Sequence, residues 1–136
     1  KILNETNIGK KILSKIKNID KENIEKLESF EKEIKDIQNN ISQKKNIISQ
    51  QEFEKEVNDL NKKVSDFNDR KNNMVKEINQ IKNKELNQFL NDIKPIIQNY
   101  MNDNSIDMII NSKNIFIGNK NSDLTNELIY EINTKF

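Results

Sequence analysis

The side chains that could carry chemistry in this 136-residue chain are carboxylates, amines and amides. There are 22 Asp and Glu, 23 Lys and Arg, and no Cys or His. Without thiolate or imidazole, disulfides, cysteine nucleophiles and the usual zinc sites are excluded. The two glycines, Gly9 and Gly118, stand far apart, so no glycine-rich phosphate loop exists. The carboxylates do not converge. They recur as Glu22–Lys26, Glu28–Lys32 and Glu31–Lys35, acid first at i,i+4, each pair contributing about 0.2–0.5 kcal/mol to a helix. That spacing makes a solvated helical face, not a pair of catalytic acids, and neither an enzyme nor a cofactor is read from it. No basic cluster is interleaved with aromatics, so no nucleic-acid partner is expected.

The elements that position these charges come from the apolar pattern. Leu27, Phe30, Ile34, Ile37, Ile41 and Ile48 recur at steps of three and four, with Lys44 in one polar slot. Phe53, Val57, Leu60, Val64, Phe67, Met74, Ile78 and Ile81 do the same, with Lys71 in the polar slot. Such alternation is a heptad seam, and each seam needs a partner. Between them Ser49 and Glu52 form a capping-box signature, so one helix is expected to end near Ile48 and the next to begin at Ser49. The arms are each other's nearest partners. They predict an antiparallel coiled-coil hairpin over residues 10–94, its tip near residue 49, roughly 60 Å long at about 1.5 Å per residue.

Composition agrees with a narrow core. Apolar residues make up 33% of the chain, charged residues another 33%, and the net charge is +1. Disorder would call for high net charge without periodicity. The length suits one domain, and no apolar run approaches the ~18 residues of a membrane helix. The chain opens at Lys1 without a signal-like apolar stretch, which reads as a processed or truncated form.

In chain order, residues 1–9 read as a short helical piece ended by Gly9. A helical pattern follows from Lys10 through Ile12, Ile16 and Ile19. The step of five from Ile19 to Ile24 slips the register near Asp20–Asn23. It reads as a stutter, with a bend as the alternative. After Ile81 the apolar face widens through Leu86, Phe89, Leu90, Ile93, Ile96, Ile97 and Tyr100, with Pro95 inside. A junction between arm and body is placed near Glu85–Pro95. Past Asn102–Ser105 the period changes to two. Ile106, Met108, Ile109, Ile110 and then Ile115, Phe116, Ile117 flank a polar turn and predict a strand hairpin over 106–117. Two strands alone are marginal in water, so the missing strands are expected from upstream of Lys1 or from other subunits, and these seven residues are the expected oligomerisation set. A helix over 124–136 is expected to be capped by Asp123, with Leu124, Leu128, Ile132 and Phe136 on its inner stripe. Residues 1–9 and 95–136 would form the body. The fold class is thus mainly α with a small β part.

Ser105–Ile110, Asn114–Ile117 and Asp123-Leu124-Thr125, in this order after two long helices, resemble the Skp/OmpH family of periplasmic chaperones. Leu3-Asn4-Glu5, Gly9-Lys10-Lys11 and the Ser49–Glu52 tip are similar to that family as well, so the likeness spans nearly the whole chain. The resemblance implies a trimer whose helical hairpins hang from a small β body. It implies ATP-independent holding of unfolded outer-membrane proteins in the periplasm, in a cavity between the arms. Many members are strongly basic, whereas this chain is nearly neutral, and no lipopolysaccharide site is carried over. Holding needs weak apolar contacts on a charged wall. The off-seam residues Ile24, Ile47 and Val75 are the candidates for client contact, with packing at the seam's edge as their plainer reading. A structural coiled-coil adaptor or spacer is the main alternative. A prefoldin-like holdase is another, although its strands typically interrupt the helical pair.

Overall fold

A computed structural model describes all residues 1–136. The chain is mainly helical, in the order α1 (Ile2–Glu5), α2 (Asn7–Lys44), α3 (Gln50–Asp103) and α4 (Thr125–Asn133), with single 3₁₀ turns at Ser112–Asn114 and Lys120–Ser122. It divides into two compact units. One comprises Lys1–Ile16 with Ile81–Phe136, the other Lys17–Gln80.

The second unit is an antiparallel hairpin built from the C-terminal part of α2, from Lys17, and the first part of α3, to Gln80, a shorter span than the expected 10–94. Its seam is narrow, so most seam residues stay half-exposed; Ile41 (6% exposed) and Ile78 (7%) are fully buried. Lys44, in the polar slot of the first arm, donates to Glu56 Oε1 across the seam at 3.1 Å. That cross-arm partner is what makes a half-buried lysine acceptable there. The turn is built as a capping box. The Glu52 amide donates to Ser49 Oγ (3.3 Å), while the Ser49 amide and hydroxyl both donate to Glu52 Oε2 (3.0 and 2.7 Å). The first arm ends at Lys44, earlier than the expected Ile48, and residues 45–48 form the turn. The capping box fixes where the second helix starts, but the first helix must stop sooner to leave chain for the reversal.

The register slip near Asp20–Asn23 takes a different form from the expected stutter. α2 runs unbroken, and the half-buried positions continue Asn23, Leu27, Phe30 at steps of four and three. Asn23 occupies the seam slot, and Ile24 falls beside it, 55% exposed. The apparent step of five is a polar residue in the seam, which an apolar-only count passes over.

In the first unit Phe89 and Ile93 of α3 and Ile132 of α4 form the buried core, with Ile2, Leu3, Ile8, Ile12, Ile96 and Ile97 packed against it. The helix break falls at Thr6, not at Gly9. Thr6 is extended (φ −76°, ψ 151°) and wholly buried. Its carbonyl accepts from the Lys10 amide (2.9 Å) and its Oγ1 from the Gly9 amide (3.2 Å), which makes it the N-cap of α2. Gly9 is needed for clearance instead. A Cβ there would lie 1.9 Å from the Leu3 carbonyl oxygen. Asn133 closes the unit from the other end, its Oδ1 accepting from the Asn7 amide at 2.7 Å. Lys15 pairs with Glu85 at 2.5 Å.

Pro95 does not end α3, which continues to Asp103. Proline removes the amide that would bond the Asn91 carbonyl. Both Asn91 and Pro95 are exposed, so water can take that bond. The helix stops in a Schellman motif. Ser105 sits at φ 52°, the Ile106 amide donates to the Met101 carbonyl (2.9 Å) and the Ser105 amide to that of Asn102 (3.3 Å).

The strand hairpin expected over 106–117 is not formed. Residues 106–111 have no regular structure, and Ser112–Asn114 is a 3₁₀ turn whose start is held by the Lys113 amide donating to Asn111 Oδ1 at 3.0 Å. The reason is the one that made two strands insufficient. A single chain offers no third strand, and the pair alone does not offset the entropy of ordering it. The final helix is shorter than the expected 124–136, and its N-cap is Leu124 and not the expected Asp123, which lies one residue before it. Asp123 Oδ1 accepts from the Thr125 amide (3.1 Å) and hydroxyl (2.5 Å), holding the turn into α4.

Candidate functional site

The sequence places its candidate residues in two groups. Of the oligomerisation set, Ile106 is half-buried, and Met108 (70% exposed), Ile110 (53%), Phe116 (98%) and Ile117 (82%) are open, as to a lesser degree are Ile109 and Ile115. An apolar cluster so dense and so exposed in one short segment is the kind of surface that marks an interaction site. Of the client-contact set, Ile24 is 55%, Val75 53% and Ile47 80% exposed. Ile47 lies in the turn between the arms. Ile24 and Val75 lie on the arms themselves.

Their placement follows from the heptads. With Leu27 at a, Phe30 is d, Ile24 is e and Glu33 is g; with Val64 at a, Lys63 and Arg70 are g and Val75 is e. Turning one helix end for end brings g opposite g along one edge and e opposite e along the other. The observed contacts obey this. Lys63 pairs with Glu33, Lys44 with Glu56, and the Arg70 guanidinium stands 4.7 Å over the Phe30 ring, all on the g edge. Beside them an open groove of about 640 Å³ runs between the arms, floored by Ile37, Ile41 and Leu60 and flanked by Glu33, Asn40 and Lys63. Ile24 and Val75 therefore share the opposite edge, and at one level, since their numbers sum to 99, within the 96 to 100 spanned by Lys63–Glu33, Arg70–Phe30 and Lys44–Glu56.

The electrostatics are those of a solvated surface. The Ser49 hydroxyl, and then its amide, hold the Glu52 carboxyl below its ordinary value. The Thr125 hydroxyl, and then its amide, do the same for Asp123. The first shift comes from the helix cap at the turn, the second from the local turn in which Asp123 accepts from Thr125 just before α4. No group of carboxylates is arranged to hold a metal ion, and no helix is long and apolar enough to cross a membrane. What the arrangement can do is bind through many weak contacts.

The sequence did not reveal the g-edge groove, or that Ile24 and Val75 lie together. Both depend on the pairing of two arms about fifty residues apart, for which Lys44 and Glu56 at positions d and g were the available signal.

Among curated proteins none matches this chain. A crystal structure of an OmpH-like protein from Caulobacter crescentus CB15, described as a candidate outer membrane chaperone, superposes with a TM-score of 0.93 over 99% of this chain and 80% of that one, at 16% identity. At that identity the likeness establishes the fold. The family model described as outer membrane protein (OmpH-like) matches residues 1–132, nearly the whole length, and the chain belongs to that OmpH-like family.

Proposed function

We propose that this protein is an ATP-independent holding chaperone for unfolded outer-membrane proteins in the periplasm. It works as a homotrimer, one chaperone domain per chain. Residues 10–94 form the arm and residues 1–9 with 95–136 the body, in which strands over 106–117 pair with those of other copies. Clients lie in a cavity between arms. The observation that carries this reading is the combination of a charged two-helix hairpin bearing exposed Ile24, Ile47 and Val75 with an unpartnered apolar segment at Met108–Ile117. Membership of the OmpH-like family supports it. Exposed apolar side chains scattered on a charged wall give contacts strong enough in sum to delay aggregation and weak enough singly to release.

The test is aggregation of a β-barrel membrane protein diluted from urea, without nucleotide. The intact protein should suppress turbidity. Deleting matched heptads, Ile34–Asn40 and Val57–Lys63, keeps the seam in register and should weaken holding at unchanged oligomer mass. Full protection by the shortened protein would remove the cavity mechanism. No protection by the intact one would favour an adaptor or spacer.

A further inference from the structure

The two edges of the hairpin differ in chemistry. Over Ile24–Asn40 and Glu54–Glu77 the g positions are Lys26, Glu33, Asn40, Glu56, Lys63, Arg70 and Glu77, so six of seven are charged. The e positions over the same span are Ile24, Glu31, Gln38, Glu54, Asn61, Asn68 and Val75, of which two are charged. The g edge is laced across the arms by Glu33–Lys63, Lys44–Glu56 and Arg70 over Phe30. No ion pair crosses the e edge in this span. The side chains of Gln38, Asn61 and Asn68 are exposed and make no hydrogen bond within the chain.

We propose that the e edge is the client-contact face of the hairpin, and that its occupant is an extended segment of unfolded polypeptide. This rests on the holding function proposed above. Primary amides donate and accept at once, so Gln38, Asn61 and Asn68 can bond the unpaired backbone of an extended chain whatever its sequence. Ile24 and Val75 offer one apolar contact at the same level for its side chains. A second copy of the arm is a poor occupant. A stable protein partner buries about 800 Å² per side around an apolar centre, and here two half-covered aliphatic side chains stand at one end of a polar strip. The groove on the g edge is less suited to a chain of arbitrary sequence, because its rim of fixed charges would repel or desolvate many segments.

The chain has no cysteine, so single cysteines are unique attachment points. Gln38→Cys and Asn68→Cys on the e edge, and Asn40→Cys and Glu77→Cys on the g edge, would carry a benzophenone maleimide in the full-length protein. The probe is a urea-unfolded β-barrel membrane protein. Photocrosslinks to it should form several-fold more at the e-edge positions. Ile24→Ser with Val75→Ser, both at exposed sites that leave the seam intact, should weaken client binding about tenfold by removing two apolar contacts. Crosslinks equal or greater at the g edge would overturn the assignment while leaving the holding function standing, as would undiminished binding by the double variant. Crosslinks between copies at the e edge would give that face to self-association. Absence of any holding by the intact protein would remove the functional reading and this one together.

Discussion

Gly9→Ala tests the assembly of the first unit. In most helices this change is favourable by about 0.8–1.0 kcal/mol, because alanine has the better helix propensity. Here the new Cβ would lie 1.9 Å from the Leu3 carbonyl oxygen, 2.7 Å from its carbon and 2.8 Å from Thr6 Oγ1. Two of the three are backbone atoms, so no rotamer relieves the clash, and α1 must lift away. Lifting it strains the Gly9–Thr6 cap, about 0.5–1.5 kcal/mol. It also withdraws Ile2 and Leu3 from Phe89, Ile93 and Ile132. Partial exposure of two aliphatic side chains costs about 1.5–3 kcal/mol. The sum exceeds the propensity gain, leaving a net loss of about 1–4 kcal/mol. The assay is urea unfolding followed by circular dichroism at constant protein concentration. Gly118→Ala is the control, since its Cβ would meet Ile115 Cγ2 at 3.4 Å, an ordinary contact. A Gly9→Ala protein as stable as the parent, or more so, would refute the seating of α1.

Ser49→Ala should cost about 0.5–2 kcal/mol at the turn, read as faster amide exchange at residues 50–53 with oligomer mass unchanged. Glu52 and Asp123 titrate lower in the folded chain than in the unfolded one, so the unfolded chain takes up protons first. Their stabilisation is whole above the ordinary carboxylate range, about pH 4–5, and is lost as pH falls through the lowered values. Amide exchange near residues 49–53 and at Thr125 should rise in that window, and Glu52→Gln should flatten the response at the turn between the arms alone. Ser105→Gly, at φ 52°, relieves a left-handed strain of about 1–2 kcal/mol less the entropy glycine loses on folding, so thermal unfolding should be unchanged or shifted upward. If the chain assembles as proposed, Ile109→Asp should lower its mass in light scattering, because assembly would bury a charge without a partner; an unchanged mass would place the contact elsewhere.

The hairpin could be read from sequence because its causes are local and repeated. A seam of sixteen apolar or lysine slots fixes two helices, and Ser49 with Glu52 fixes where the second begins. What misled were positions where one residue type hides another cause. In the sequence Gly9 reads as a breaker because glycine usually is one. Thr6, three residues earlier, does the breaking with its hydroxyl and its extended backbone, and Gly9 merely makes room for Leu3. Asn23 hid inside the seam because a heptad count admits apolar residues and skips amides.

The strand segment marks a different boundary. Its period of two was legible, and so was the shortage of partners, yet residues 106–117 do not pair even with each other. A helix satisfies its hydrogen bonds within itself, so α2 and α3 can form in a single chain. A strand satisfies half of its bonds in a neighbour. Sequence reports the propensity of Ile106–Ile110 and Ile115–Ile117 for strand, but a third strand would have to come from outside these residues. The candidate contact face lies between these extremes. Ile24 and Val75 were visible as off-seam residues, but their common edge follows only when Lys63 is matched to Glu33 and Arg70 to Phe30 across the turn. Those pairings set the antiparallel register, and with it which of the two edges is left without cross-arm ion pairs.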